Sequence, residues 1–153
     1  MSRKRPRPVG INHVALEVGD LEAALAFYGA IFQLTDVERE PGVAFIDMGD
    51  QFLALNQRRN RPSDHARHFG LVVDDKPRAR ATLEAQEVEI LAGPRLDFLD
   101  PWGNRIQVVD YRDIEFTKAP RILRGMGLAH LRKRAGTIEQ QRAKGFASPS
   151  TPT

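Results

Sequence analysis

The sequence predicts an α+β fold built from a duplicated strand–helix–strand–strand–strand unit, and three observations predict it. The stretch HVALEVGD (residues 13–20) lies over HFGLVVDD (residues 68–75), with His, Leu, Val and Asp repeated at four of the eight positions. An amphipathic helical stretch follows each. Beyond each helix a second pair of pieces repeats: Phe45-Ile46-Asp47 with Gly49, and Phe98-Leu99-Asp100 with Gly103. Two copies, with the paired histidines at 13 and 68, argue against a solenoid and for a pseudo-twofold pair.

The elements follow in order. In the first stretch Val14, Leu16 and Val18 share one face of a strand, leaving His13, Ala15 and Glu17 on the other. In the second, Phe69, Leu71 and Val73 share a face, opposite His68, Gly70 and Val72. Asp20 is a good N-cap for LEAALAFYGAIF, where Leu21, Leu25, Tyr28 and Phe32 line one side. Asp74 or Asp75 caps KPRARATLEAQEV, whose Pro77 is tolerated in the first turn. DPWGN (residues 100–104) is a turn with glycine available for positive φ. The strands QFLALN and RIQVVD close the two units. Residues 113–153 lie outside the repeat. RILRGMGLAHL and TIEQQRAKGF are expected to be short helices there, and FASPSTPT a disordered tail by composition.

Composition narrows the function. With 153 residues and 41% apolar, the chain suits one domain or two half-domains with a real core. No apolar run reaches 18 residues, so no membrane partner is expected. MSRKRPRP has no apolar segment behind it and is not expected to be a secretory signal. The absence of cysteine excludes disulfides, thiolate ligands and a cysteine nucleophile, and fits a cytoplasmic protein. Residues 9–110 carry 10 basic against 17 acidic groups, whereas residues 111–153 carry 9 against 3. The basic ends are not interleaved with aromatics, so no nucleic-acid partner is expected. No phosphate-binding glycine loop, nucleophile elbow or His-Glu-x-x-His occurs.

The pieces NHVALEVGDLEAALAFY, HFGLVVDD and FLDPWGNRIQVV, in that order, resemble the vicinal oxygen chelate superfamily of glyoxalases, extradiol dioxygenases, fosfomycin-resistance transferases and bleomycin-resistance proteins. The resemblance covers residues 9–112. It implies two tandem βαβββ modules, 9–58 and 65–112, forming a curled mixed sheet around a cavity, followed by a basic, partly helical extension at 113–153. It also implies a homodimer, with modules sometimes paired across chains. Metal-using members draw ligands from the first and last strand of each module, which places the ligand positions at His13, Ala54, His68 and Gln107. The glutamate usual at the last strand is replaced by Gln107, and the other position that carries glutamate in glyoxalase I is Ala54.

The chemistry expected is that of a divalent ion, Fe, Mn, Ni or Zn, on His13, His68 and Gln107. An amide oxygen is neutral and a weaker donor than carboxylate, so the affinity should be reduced. Glu17, four residues along the strand from His13 on the same face, could act as general base or join the ion as the missing carboxylate. Phe52, Asn56, Val72 and Arg105 are expected to line the substrate cavity, with Val109 extending its apolar wall. Trp102 either lids the pocket or covers a core edge. His65 and His130 are read as surface residues. The activity implied is a metal-dependent lyase, isomerase or dioxygenase acting on a small oxygen-bearing substrate held by chelation. The alternative is a metal-free binder of the bleomycin-resistance type.

Overall fold

The computed structural model describes residues 11–58, 62–64 and 66–146. His65, the basic N-terminus and the end of the tail lie outside the described residues. The first half comprises β1 (His13–Val18), α1 (Leu21–Ile31), β2 (Val37–Glu40), β3 (Val43–Asp47) and β4 (Phe52–Gln57). Its sheet runs β1-β4-β3-β2, with β1 parallel to β4 and the other pairings antiparallel. The second half comprises β5 (Phe69–Val73), α2 (Lys76–Ala85), β6 (Leu96–Leu99) and β7 (Arg105–Asp110). Its sheet runs β5-β7-β6, and again the first strand lies parallel to the last.

The duplication therefore holds in topology with one strand reduced. Where a fourth strand would stand, the second half has only an isolated bridge between Ile90 and Phe98. Gly93 adopts φ 141°, and Pro94 has no N–H to donate, so the ladder cannot extend past Ile90.

Both helices start as local chemistry dictates. Asp20 accepts from Ala23 N at 2.7 Å, and Asp75, rather than Asp74, accepts from Arg78 N at 3.0 Å. Leu21, Ala24, Leu25, Tyr28 and Ile31 of α1 cover Leu16, Val18, Ala44, Ile46, Leu53 and Leu55. Ala79 and Leu83 of α2 cover the back of the second sheet, and the two halves form one continuous core. Phe27 and Phe32 each bring a ring 6.3 Å from that of Phe98. Each fully buried side chain of this size contributes about 1.5–3 kcal/mol.

Polar contacts join the halves as well. Asp100, 4% exposed, accepts from Tyr28 Oη at 2.8 Å, Trp102 N at 3.0 Å, Asn104 N at 2.8 Å and Asn104 Nδ2 at 2.6 Å. Asn104 Nδ2 also donates to the Glu17 carbonyl at 2.8 Å. Trp102 covers a core edge, with its indole against Gly19, where an added Cβ would lie 2.4 Å from Nε1. The start of β7 is thereby tied to the end of β1.

Residues 113–146 pack on this body. α3 (Pro120–Gly125) and α4 (Ala135–Ala143) are shorter than the stretches expected to be helical. Leu123 and Leu131 form a second cluster with Tyr111, and Val72 and Leu128 pack against it. Ile122 and Met126 sit over Gly49 in the β3–β4 turn, and Lys118 pairs with Asp50. The extension thus straps the end of β7 to the start of β4. Lys133 holds it down: its ammonium lies 3.5 Å from the Tyr111 ring centroid and donates to the carbonyls of Tyr111, Ile114 and Phe116. Lys133→Met keeps the aliphatic stem and strands those acceptors, so a loss of about 2 kcal/mol is expected. Hydrogen exchange should quicken across residues 113–143 and stay slow in β4 and β7; unchanged exchange in the extension would contradict this role.

Candidate metal and ligand site

Strand alternation gives each sheet an open face away from the helices. On the first sheet this face carries His13, Ala15 and Glu17 of β1, in register with Phe52, Ala54 and Asn56 of β4. On the second it carries Gly70 and Val72 of β5, Arg105, Gln107 and Val109 of β7, and Asp97 of β6.

His13 is exposed at the start of β1, stacked on Phe52 with ring centroids 4.7 Å apart and planes at 6°. Its Nδ1 lies 2.8 Å from Asn12 Oδ1. His68, just before β5, places Nδ1 2.8 Å from the Ala66 carbonyl. A carbonyl oxygen can only accept, so each Nδ1 is the donor, and in the neutral imidazole the lone pair then belongs to Nε2. Among the described residues neither Nε2 has a hydrogen-bond partner. This is the tautomer, held from behind, in which neutral imidazoles bind metals. Each imidazole taken singly thus presents a nitrogen of the kind that binds a divalent ion.

Glu17 and Asn56 face each other across β1 and β4 and line a cleft of about 430 Å³ with Ala15, Arg58 and Arg67. Arg67 also bonds Asp64 at 3.0 Å. Phe45 meets Phe52 edge-on at 5.7 Å, giving the cleft's sheet an aromatic wall towards His13. On the other open face, Arg105 donates to Asp97 Oδ2 through Nε at 2.9 Å and Nη2 at 2.5 Å.

The structure thus sets Phe52 beside His13 and Asn56 beside Glu17 further along the same face, while His68 precedes the strand that pairs with β7 from Ile106 onward. It does not bring the two histidines together within one chain. His68 stands beside the start of β7, which is tied to Glu17. His13 lies four residues back, about 13 Å away along the strand. Among the described residues, no three His, Asp or Glu side chains are close enough to share an ion. Val72 packs, partly buried, against Tyr111, Leu123 and Leu131. His130 is exposed, as expected.

Three polar residues at these faces were missed. Arg58 and Arg67 flank β4 and His68, and their part in the cleft depends on loop placement. Asp97 was detectable: counting outward from Trp102, the centre of DPWGN, sets it opposite Gln107.

Comparison with known proteins now decides the family. The model of the Glyoxalase/Bleomycin resistance protein/Dioxygenase superfamily matches residues 10–108. The chain belongs to that superfamily. Within it, the chain is 27% identical over 112 residues to the metallothiol transferase FosB of Staphylococcus epidermidis, covering 64% of this chain and 79% of the relative. Among solved structures, lactoylglutathione lyase from Agrobacterium tumefaciens superposes with a TM-score of 0.54 at 28% identity, covering 69% of this chain and 96% of that one. The fosfomycin-resistance protein FosX from Listeria monocytogenes, at 16% identity, shares the fold with a TM-score of 0.58, covering 68% and 94%. Two modules, β1–β4 with α1 and β5–β7 with α2, form the body. No helix among the described residues is long and apolar enough to cross a membrane.

Proposed function

We propose that this protein is a metal-dependent enzyme acting on a small, oxygen-bearing organic substrate, with His13, His68 and Gln107 as the residues that hold the ion. The observation that carries the reading is the pair of histidines with Nδ1 engaged and Nε2 bare, at equivalent positions of a duplicated fold. Since His13 lies about 13 Å along β1 from Glu17, which Asn104 ties to the start of β7, the site would be assembled in a homodimer, His13 from one copy and His68 with Gln107 from the other. The name of the FosB relative, a metallothiol transferase, agrees with metal use and adds group transfer to the lyase and isomerase reactions expected. Dioxygenase chemistry fits less well, because a neutral Gln107 leaves more positive charge on the ion and alters its potential.

When bound, a divalent ion supplies Lewis acidity towards substrate oxygens. The chain's own residues do the rest. Glu17, in the cleft beside Asn56, is placed to accept a substrate proton. Asn56 offers both a donor and an acceptor to substrate oxygen. Arg58 and Arg67 favour an anionic group in the cleft, and Phe45 and Phe52 form an aromatic pair on the sheet beside His13.

Tag-free protein titrated with Fe(II), Mn(II), Ni(II) or Zn(II) should take up one ion per chain, and His68→Ala should weaken uptake by about 100-fold or more. No stoichiometric uptake of any of the four would overturn the reading in favour of the metal-free binder, which the neutral side chains at Ala54 and Gln107 favour.

A further inference from the structure

Asp97 is 2% exposed, and its two oxygens are treated unequally. Oδ2 receives Arg105 through two nitrogens, and Arg95 Nη2 lies 3.5 Å away. Oδ1 is buried with no hydrogen-bond partner. A buried carboxylate oxygen left unmet costs about 1–3 kcal/mol or more, so it calls for a donor. The side chain directly opposite, on the same face and in register across β6 and β7, is Gln107. Such opposite Cβ atoms lie about 5 Å apart, within reach of a glutamine amide.

We propose that Asp97 is a positioning residue that orients the Gln107 amide, drawing Nε2 to its Oδ1 and turning Oε1 towards the open face. The assignment rests on the reading of Gln107 as a ligand. The physics allows only this sense. Ionised Asp97 has only acceptors, and the amide has donors on nitrogen alone. Pointing Oε1 at Oδ1 would set two acceptors against each other, whereas the favourable sense leaves the carbonyl oxygen, the one atom of the amide that can ligate, facing out. The same argument accounts for the departure from glutamate at this position. A carboxylate at 107 would stand against the buried carboxylate of Asp97, and glutamine is the isosteric side chain that complements it.

Inverting the hydrogen bond tests the proposal. In Asp97→Asn, the two arginines keep the carbonyl oxygen on their side, because they only donate. The new amide nitrogen then takes the place of Oδ1, pulls Oε1 of Gln107 inward and turns Nε2 outward. Zn(II) affinity by calorimetry should fall about 10- to 100-fold. The double variant Asp97→Asn with Gln107→Glu should restore it to at least the wild-type value, since one glutamate oxygen accepts from the new amide and the other faces out. A metal-free readout runs alongside. In ¹⁵N-labelled protein, one Gln107 side-chain amide proton should resonate well downfield of its partner and exchange slowly, and lose both traits in Asp97→Asn. Thermal melts confirm that each variant is folded. If Zn(II) binding depends on His68 and Gln107 but Asp97→Asn, folded, leaves it unchanged, the orientation role is overturned and the ligand reading stands. If the amide signature is present but no Zn(II) binds, the ligand reading falls and the Asp97–Gln107 pairing remains. Failure of Gln107→Glu to rescue folded Asp97→Asn would also overturn the orientation role.

Discussion

Replacing Asp100 by alanine is expected to destabilise the protein by about 3–5 kcal/mol, the cost of removing one member of a buried, fully engaged polar network. Asp100 receives four hydrogen bonds, from Tyr28, Trp102 and, twice, Asn104. Tyr28 and Asn104 are each 1% exposed, so their donors would have no water to turn to. The loss would reach beyond the turn, because Asn104 also holds the Glu17 carbonyl of β1, and Tyr28 belongs to α1. Urea denaturation followed by the fluorescence of Trp102, inside the affected turn, measures it; a loss below about 1 kcal/mol would mean the network is solvated. Tyr28→Phe should cost less, about 1 kcal/mol, because one bond goes and a donor goes with it. The pair also sets an alkaline limit. Burial, and then the neighbouring Asp100 charge, hold the Tyr28 hydroxyl protonated well above its ordinary range. Its folded pKa exceeds the unfolded value near 10, so this stabilisation is complete below about pH 10 and lost as pH rises beyond it.

Mixing two variants that are each inactive in metal uptake is expected to restore binding. His13→Ala and His68→Ala each spoil every site if a site takes one histidine from each of two copies. After exchange of subunits, half of the dimers carry both lesions in one site and none in the other. Roughly a quarter of the wild-type capacity should return. Wild-type uptake with no recovery in the mixture would mean that the ion is held within a single chain, which would require the ends of the two sheets to meet differently. Calorimetry on the separate and mixed variants decides it.

Much of this was legible in the residues. Alternation at Val14, Leu16 and Val18 assigned the buried face of β1, and Leu16 and Val18 are indeed in the core. Asp20 and the stripe through Leu21, Leu25 and Tyr28 marked α1. The DPWGN turn set β6 against β7, and with it the pairing of Asp97 and Gln107 that was there to be counted. Period-two logic places Val72 on the open face without saying that residues 123 and 131 return to pack against it. The missing strand at Ile90 was equally hidden, since one Gly-Pro pair can end a ladder or merely bend it.

Local chemistry alone determined the strands of the repeat and the starts of α1 and α2, which side of each strand is apolar, and that two histidines stand at matching strand starts. These follow from side-chain period and capping, which act over a few residues. Tertiary structure alone decided which end of one module meets which end of the other. That choice rests on Tyr28 with Asp100, 72 residues apart, and Asn104 with Glu17, 87 apart, together with the strap from Lys118 to Asp50. No local period records such contacts: they form only when two separately folded surfaces fit, and they set how far His13 lies from the start of β7.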